Sequence, residues 1–311
     1  MNWFIFSAAL VIALGLAGFI GFLFAFTRGP SVDITRQMLR PSSIYYPFRE
    51  TIGNGVKWLR EHDFEHVYIR SHDGIRLHAR FLPGRTDRCI IMVHGYRSKG
   101  ENDFSCACHF YHDLLGMSLL ITTQRGNGKS GGSFVTFGIR ERYDVLLWAE
   151  YIRDRMGENI DLFLTGVSMG ASTVLMAADL PLPACTRGII ADCGFTCPED
   201  IICAVMKKRF RLPKFPLLYI VKLYARIFGF PLGSADVRKS LANTAIPVQL
   251  IHGRCDDFVP CYMTEQNFAA AACEKYVFYS EPAGHGCSYL CDKEPMEEAI
   301  VKFVTEHMKN I

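Results

Sequence analysis

Asp161-Leu-Phe-Leu-Thr-Gly-Val-Ser-Met-Gly-Ala-Ser-Thr-Val-Leu-Met-Ala177 decides how the rest of the chain is read. An apolar run, a glycine-flanked serine and a second apolar run give strand, sharp turn and helix. A serine at such a turn stands above the end of a strand, where a histidine can take its proton. Glycines at 166 and 170 let the backbone turn without a Cβ clash. The pentapeptide Gly166-Val-Ser-Met-Gly170 alone is a weak signal. Its setting between strand and helix, and the partners found downstream, give it weight.

An activated Ser168 needs a base, a group that orients the base, and donors for an oxyanion. The chain has 10 histidines. His285, in Gly284-His-Gly286, follows the last expected strand and is the candidate base. Asp256, in the loop His252-Gly-Arg-Cys-Asp-Asp-Phe-Val-Pro260, is the candidate orienter; Asp257 beside it and Asp192 at the end of another strand are the rivals. Oxyanion donors should be backbone N–H groups, held in place before charge develops. Met169, at a helix N-terminus, supplies one, and Tyr96 in His94-Gly-Tyr96 the other. His94 reads as a buried, hydrogen-bonded side chain that shapes this loop.

Outward from the turn, apolar runs at 89–93, 119–123, 161–165, 188–191, 248–251 and 276–279 predict strands. Helical stretches near 101–116, 140–156, 169–179, 260–273 and 293–309 separate them. Strand and helix in alternation make the fold class α/β with a mainly parallel sheet, and near-continuous apolar strands suit a sheet covered on both faces. A hairpin is expected from 66–70 and 75–81 around Ser71-His-Asp-Gly74. Between 194 and 244 the alternation stops, which predicts a helical cap inserted over the strand ends. Its basic residues, among them Lys207, Lys208, Arg209, Arg211 and Lys214, stand beside large apolar ones. They read as a solvated face, or as a contact for anionic headgroups.

With 311 residues the chain has room for one large domain and an appendage, and its net charge of +3, with no basic stripe bearing stacking aromatics, excludes a nucleic-acid partner. Residues 3–26 carry no charge. As a helix they would span about 36 Å, against a hydrocarbon core of about 30 Å, and they are expected to form a transmembrane anchor. A signal peptide would have a basic start and a shorter apolar stretch; this chain begins Met-Asn. A helical connector, 27–65, should join the anchor to a catalytic domain over 66–311. Arg28, Arg36 and Arg40 follow the anchor, so the positive-inside rule predicts a cytoplasmic body. The 12 cysteines fit a reducing compartment. Their even number keeps an extracellular, disulfide-bonded alternative open.

These motifs, with Arg125-Gly-Asn-Gly-Lys-Ser-Gly-Gly132 and Ile190-Ala-Asp-Cys-Gly194, resemble the α/β-hydrolase superfamily. The resemblance is to its serine-hydrolase branch with a short N-terminal membrane segment, seen in Gram-positive bacteria, and covers roughly 66–309. It implies an eight-stranded, mostly parallel sheet with an inserted cap, the triad Ser168, Asp256 and His285, and no metal or organic cofactor. Gln124 departs from the pattern, since related sequences commonly have an aspartate before Arg-Gly-x-Gly. Cleavage of small-molecule or lipid-like carboxylic esters is the expected function. A peptidase of the prolyl-oligopeptidase-like branch, an acyltransferase and a catalytically dead membrane scaffold are the alternatives. Gly126-Asn-Gly-Lys-Ser130 lacks the first glycine of a phosphate loop. Cys106, Cys108, His109 and His112 would point to different faces of a helix, which suits structure better than zinc.

Overall fold

A computed structural model describes residues 2–309. Eight strands form one sheet: β1 (Glu65–Arg70), β2 (Arg76–Leu82), β3 (Arg88–Val93), β4 (Ser118–Thr123), β5 (Asp161–Val167), β6 (Thr186–Asp192), β7 (Val248–Gly253) and β8 (Lys275–Ser280). Their order is β1-β2-β4-β3-β5-β6-β7-β8. The pairs β1–β2 and β2–β4 are antiparallel, and every pair from β4 to β8 is parallel.

The central strands are apolar on both faces because both faces are covered. On β3, Cys89, Ile91 and Val93 enter one core while Ile90 and Met92 enter the other. That is the two-residue alternation of a strand, with no polar side to it. Helices Glu141–Met156 and Met169–Met176 cover the first face through Trp148, Val174 and Leu175. Helices Gly100–His109 and Lys293–His307 cover the second through Phe104 and Phe303. Parallel strands send their carboxyl ends to one edge. The loops there carry His94, Ser168, Cys193 and Asp256, and His285 follows β8.

Over 194–244 the chain forms helices Pro198–Arg209, Leu217–Ile227 and Val237–Ala242 and no strand. The stretch 27–65 is less helical than its expected role as a helical connector implies. Arg49–Glu61 is its one long helix, with short turns at Ile34–Gln37 and Tyr46–Phe48. Prolines, glycine and paired serines before Arg49 break the periodicity that a longer helix needs.

The first helix, Asn2–Phe26, contains a segment, Trp3–Phe26, long and apolar enough to cross a membrane. It does not stand free of the body. Its side chains from Trp3 to Ala13 are exposed, but Phe22 and Phe26 are fully buried. Phe22 stacks on Phe26 and Phe228, with ring centroids 5.1 and 5.0 Å away. The second half of this helix lies along the cap helix Leu217–Ile227, and Tyr224 Oη donates to Gly15 O at 3.4 Å.

Candidate active site

β5 ends at Val167, and the chain turns at Ser168 with φ 57° and ψ −117°. A side-chain-bearing residue rarely sits there, and the strain persists only where its surroundings enforce it. Two tethers do so: Ser168 N–H donates to Asp192 O at 2.8 Å, and Ser172 N–H donates to Ser168 O at 3.1 Å. The flanking glycines are required by close approach rather than by positive φ. A Cβ on Gly170 would lie 1.8 Å from Val93 O, and one on Gly166 would lie 2.3 Å from the Gly170 backbone.

The structure brings three of the candidate side chains together. With its proton on Nδ1, His285 donates to Asp256 Oδ2 at 2.7 Å, and its Nε2 faces Ser168 Oγ at 2.9 Å. The rivals for the acid lie elsewhere. Asp257 is exposed, and Asp192 accepts a hydrogen bond from Ser288 Oγ at 3.0 Å. Asp256 Oδ1 is fixed by the N–H groups of Phe258 and Val259, at 2.8 and 2.9 Å. Burial pushes the Asp256 carboxyl up. Hydrogen bonds from His252 and His285 outweigh burial and hold it well below the usual carboxylate range.

Tyr96 and Met169 line a cavity together with Ser168. Among the described residues neither backbone N–H has a hydrogen-bond partner. Two unspent donors beside a hydroxyl, one of them at a helix N-terminus, are the arrangement an oxyanion requires. The loop carrying Tyr96 is held from inside. His94 Nδ1 donates to Gly95 O at 2.8 Å and its Nε2 accepts from Gln124 N–H at 3.1 Å, so the ring is neutral. Burial pushes His94 below the usual imidazole range, as that neutral role demands. Gln124 Nε2 donates to His94 O.

Three further residues at the site are given no role by the sequence, though two of them, His252 and Cys193, lie inside the quoted motifs. His252 is the last residue but one of β7, with Nε2 3.2 Å from Asp256 Oδ2 and Nδ1 2.7 Å from Thr264 Oγ1. Its place near a strand end, four residues before the acid, is the signal that could have found it. Asp103 accepts from Gly95 N–H and Ser98 Oγ, each at 2.6 Å, and so braces the Tyr96 loop. Cys193, at φ 50°, follows Asp192.

Cys193 Sγ also converges with Asp256 and His285, their ligand atoms lying within 4.8 Å of one another. Burial pushes this thiol well above its usual range, and His285 Nδ1 and Asp256 Oδ2 are already joined to each other at 2.7 Å. A second convergence joins His62, His112 and Asp113. There both oxygens of Asp113 are already engaged, Oδ2 by Trp58 Nε1 at 2.7 Å and Oδ1 by His112 Nδ1 at 2.6 Å. Cys106, Cys108, His109 and His112 do not converge: Cys108 is buried in the core while His109 turns outward to Asp113. In Gly126-Asn-Gly-Lys-Ser130 the serine hydroxyl is spent on the sheet. It donates to Thr123 O at 2.5 Å and accepts from His78 N–H at 2.9 Å.

Two cavities meet at Ser168. One, of about 410 Å³, is walled almost wholly by apolar groups, among them Phe137, Phe195, Val205 and Val221, and His285 does not line it. The other, of about 340 Å³, is lined by His285, Asp103, Asn102 and Tyr45.

No family model matches the chain. The uncharacterized protein YqkD of Bacillus subtilis (strain 168) is 26% identical over 223 residues, which is 71% of this chain and 72% of that protein. The uncharacterized protein Rv2307c of Mycobacterium tuberculosis (strain H37Rv) is 25% identical over 244 residues, 77% of this chain and 79% of that protein. Among solved structures, the esterase Pf2001 of Pyrococcus furiosus superposes with a TM-score of 0.64 at 21% identity, covering 81% of this chain and 96% of its own. Est1E of Butyrivibrio proteoclasticus, solved with ferulic acid bound, gives a TM-score of 0.59 at 20% identity, covering 78% and 98%. With its eight-stranded order and its helices on both faces, the chain has the α/β-hydrolase fold.

Proposed function

We propose that this chain is a membrane-associated serine hydrolase of carboxylic esters. One observation carries the reading: a hydroxyl, an imidazole and a buried carboxylate joined in series at the mouth of an apolar cavity. In this reading Ser168 Oγ attacks the ester carbonyl as His285 Nε2 takes its proton. Asp256 stabilises the imidazolium, and the N–H groups of Tyr96 and Met169 hold the tetrahedral oxygen. His285 then returns the proton to the leaving alcohol. The alcohol therefore belongs in the cavity that His285 lines, and the acyl group in the apolar one. Water, activated by the same imidazole, releases the acid from Ser168.

The first helix is read as a retained membrane anchor, since Phe22 and Phe26 are core residues that cleavage would remove. All 12 cysteines are unpaired, which supports a body in a reducing compartment and hence on the cytoplasmic side.

A fluorophosphonate probe should label the full chain, and Ser168→Ala should abolish labelling and lower p-nitrophenyl acetate hydrolysis by roughly four orders of magnitude or more. Equal labelling of both proteins would refute the assignment.

A further inference from the structure

We infer that the first helix is a wall of the acyl pocket as well as an anchor, and that Gly21 sets the length of acyl chain this enzyme accepts. The inference rests on the ester-hydrolase reading and names its substrate class: esters of extended, unbranched fatty acids.

The pocket beside Ser168 is built from two parts of the chain far apart in sequence. The cap supplies one side. The first helix supplies another through Ala17, Gly21 and Phe24, with Gly18 and Ala25 flanking them. Residues 17, 21 and 24 recur at helical spacing and share one face. The neighbouring face is engaged differently: a Cβ on Gly18 would lie 2.3 Å from the Ile220 side chain, so that glycine is where helix and cap touch. A Cβ on Gly21 would meet no atom within 4 Å. Gly21 lines the cavity and a Cβ there has open space around it, so larger side chains at this position are expected to extend into the cavity.

The helix is also tied to the catalytic loop. Tyr96 Oη donates to Ala25 O at 2.8 Å, and the Arg97 guanidinium donates to Phe24 O and Thr27 O at 2.6 and 3.0 Å. A cation on the last carbonyls of a helix is favourably placed. These contacts hold the helix against the residue proposed to supply an oxyanion N–H, so the wall and the reacting centre keep a fixed separation. A wall of fixed position measures length. A cavity of about 410 Å³ with almost no polar group suits a flexible hydrocarbon chain and offers nothing to a sugar or a peptide.

The test uses the full chain in detergent micelles of constant composition, with p-nitrophenyl acetate, butyrate, octanoate and laurate. Gly21→Ala, Gly21→Leu and Gly21→Phe should shorten the preferred acyl group stepwise. For Gly21→Phe, kcat/KM on laurate should fall roughly tenfold or more, with acetate hydrolysis and fluorophosphonate labelling retained. Gly15→Phe, on the same helix but away from the cavity, should keep the wild-type profile. An unchanged chain-length profile in the Gly21 variants would overturn the inference, as would a parallel loss on all four esters, which would mark Gly21 as a docking residue. Failure of the wild type to hydrolyse any of the esters would instead strike the hydrolase reading itself.

Discussion

Two carboxylates stand at the carboxyl ends of neighbouring strands and meet opposite fates. Asp256 receives two backbone N–H bonds and two imidazoles and stays ionised. Asp192 is as deeply placed but receives one hydroxyl. Burial, reinforced by the neighbouring Asp256 charge and only partly offset by His252 and Ser288, pushes it up to about 6. An unfolded chain would titrate this carboxyl near 3.8. Between those values a rising pH deprotonates the unfolded chain first, so the residue lowers stability as pH climbs from about 4 to 6 and adds no further slope above that. Asp192→Asn cannot titrate. Its stability relative to wild type should therefore rise between pH 4 and pH 7, by an amount on the order of 3 kcal/mol, in denaturant unfolding of the detergent-solubilised protein. A pH-independent difference would mean that the carboxyl is not held in this state. At this scale the meeting of Ser168, Asp256 and His285 is legible in the sequence, because each follows an apolar strand and has glycine or a turn beside it. Asp103 is not legible, and His252 only through its place near a strand end, because what they do depends on contacts made across the fold.

Strands and helices were legible where burial is one-sided or total. The run at 89–93 is apolar throughout, and that at 248–251 is apolar but for the buried Gln249, because helices cover both faces; the strands found there extend them by no more than two residues. Periodicity has no bearing on neighbour order, so the placing of β4 between β2 and β3 could not be read from it. The first helix shows a different limit. Its composition announces an apolar segment, but with no charge anywhere along it nothing marks which residues face lipid and which face protein. The structure separates them: Phe22 is fully buried among aromatic rings, whereas Phe4 is 86% exposed. Phe22→Ala would leave a cavity and cost about 3–5 kcal/mol, lowering the thermal midpoint in detergent by roughly 5 °C or more. Phe4→Ala should leave the midpoint unchanged. Equal midpoints for the two variants would mean that the helix does not dock.

For the whole molecule, the docked helix sets a problem of length. The fully exposed part, from Trp3 to Ala13, is about 16 Å long at 1.5 Å per residue, and a hydrocarbon core is about 30 Å thick. If the segment is to cross a membrane, its second half must enter lipid with the cap helix packed along it. The outer surface of the cap suits that position. Tyr219, Leu223 and Ile227 are exposed and fall four residues apart on the cap helix, and Phe215, exposed before the helix begins, packs its ring against Tyr219. Lys207, Lys208, Arg209, Arg211 and Lys214 are exposed just before that helix in the sequence, and basic side chains of this kind attract anionic headgroups. The apolar pocket beside Ser168 is lined by the first helix and by the cap helices Pro198–Arg209 and Leu217–Ile227, so in the proposed reading an acyl chain would enter it from the leaflet without crossing water. Each basic residue near an anionic surface contributes about 1 kcal/mol. Full-length protein in nanodiscs should therefore hydrolyse a long-chain ester several-fold faster when phosphatidylglycerol replaces part of the phosphatidylcholine. Reversing Lys207, Lys208, Arg209 and Arg211 to glutamate should abolish that preference and leave turnover of soluble p-nitrophenyl acetate intact. If wild type and variant respond alike to the anionic lipid, the cap does not rest on the membrane, and substrate must reach Ser168 from the aqueous side.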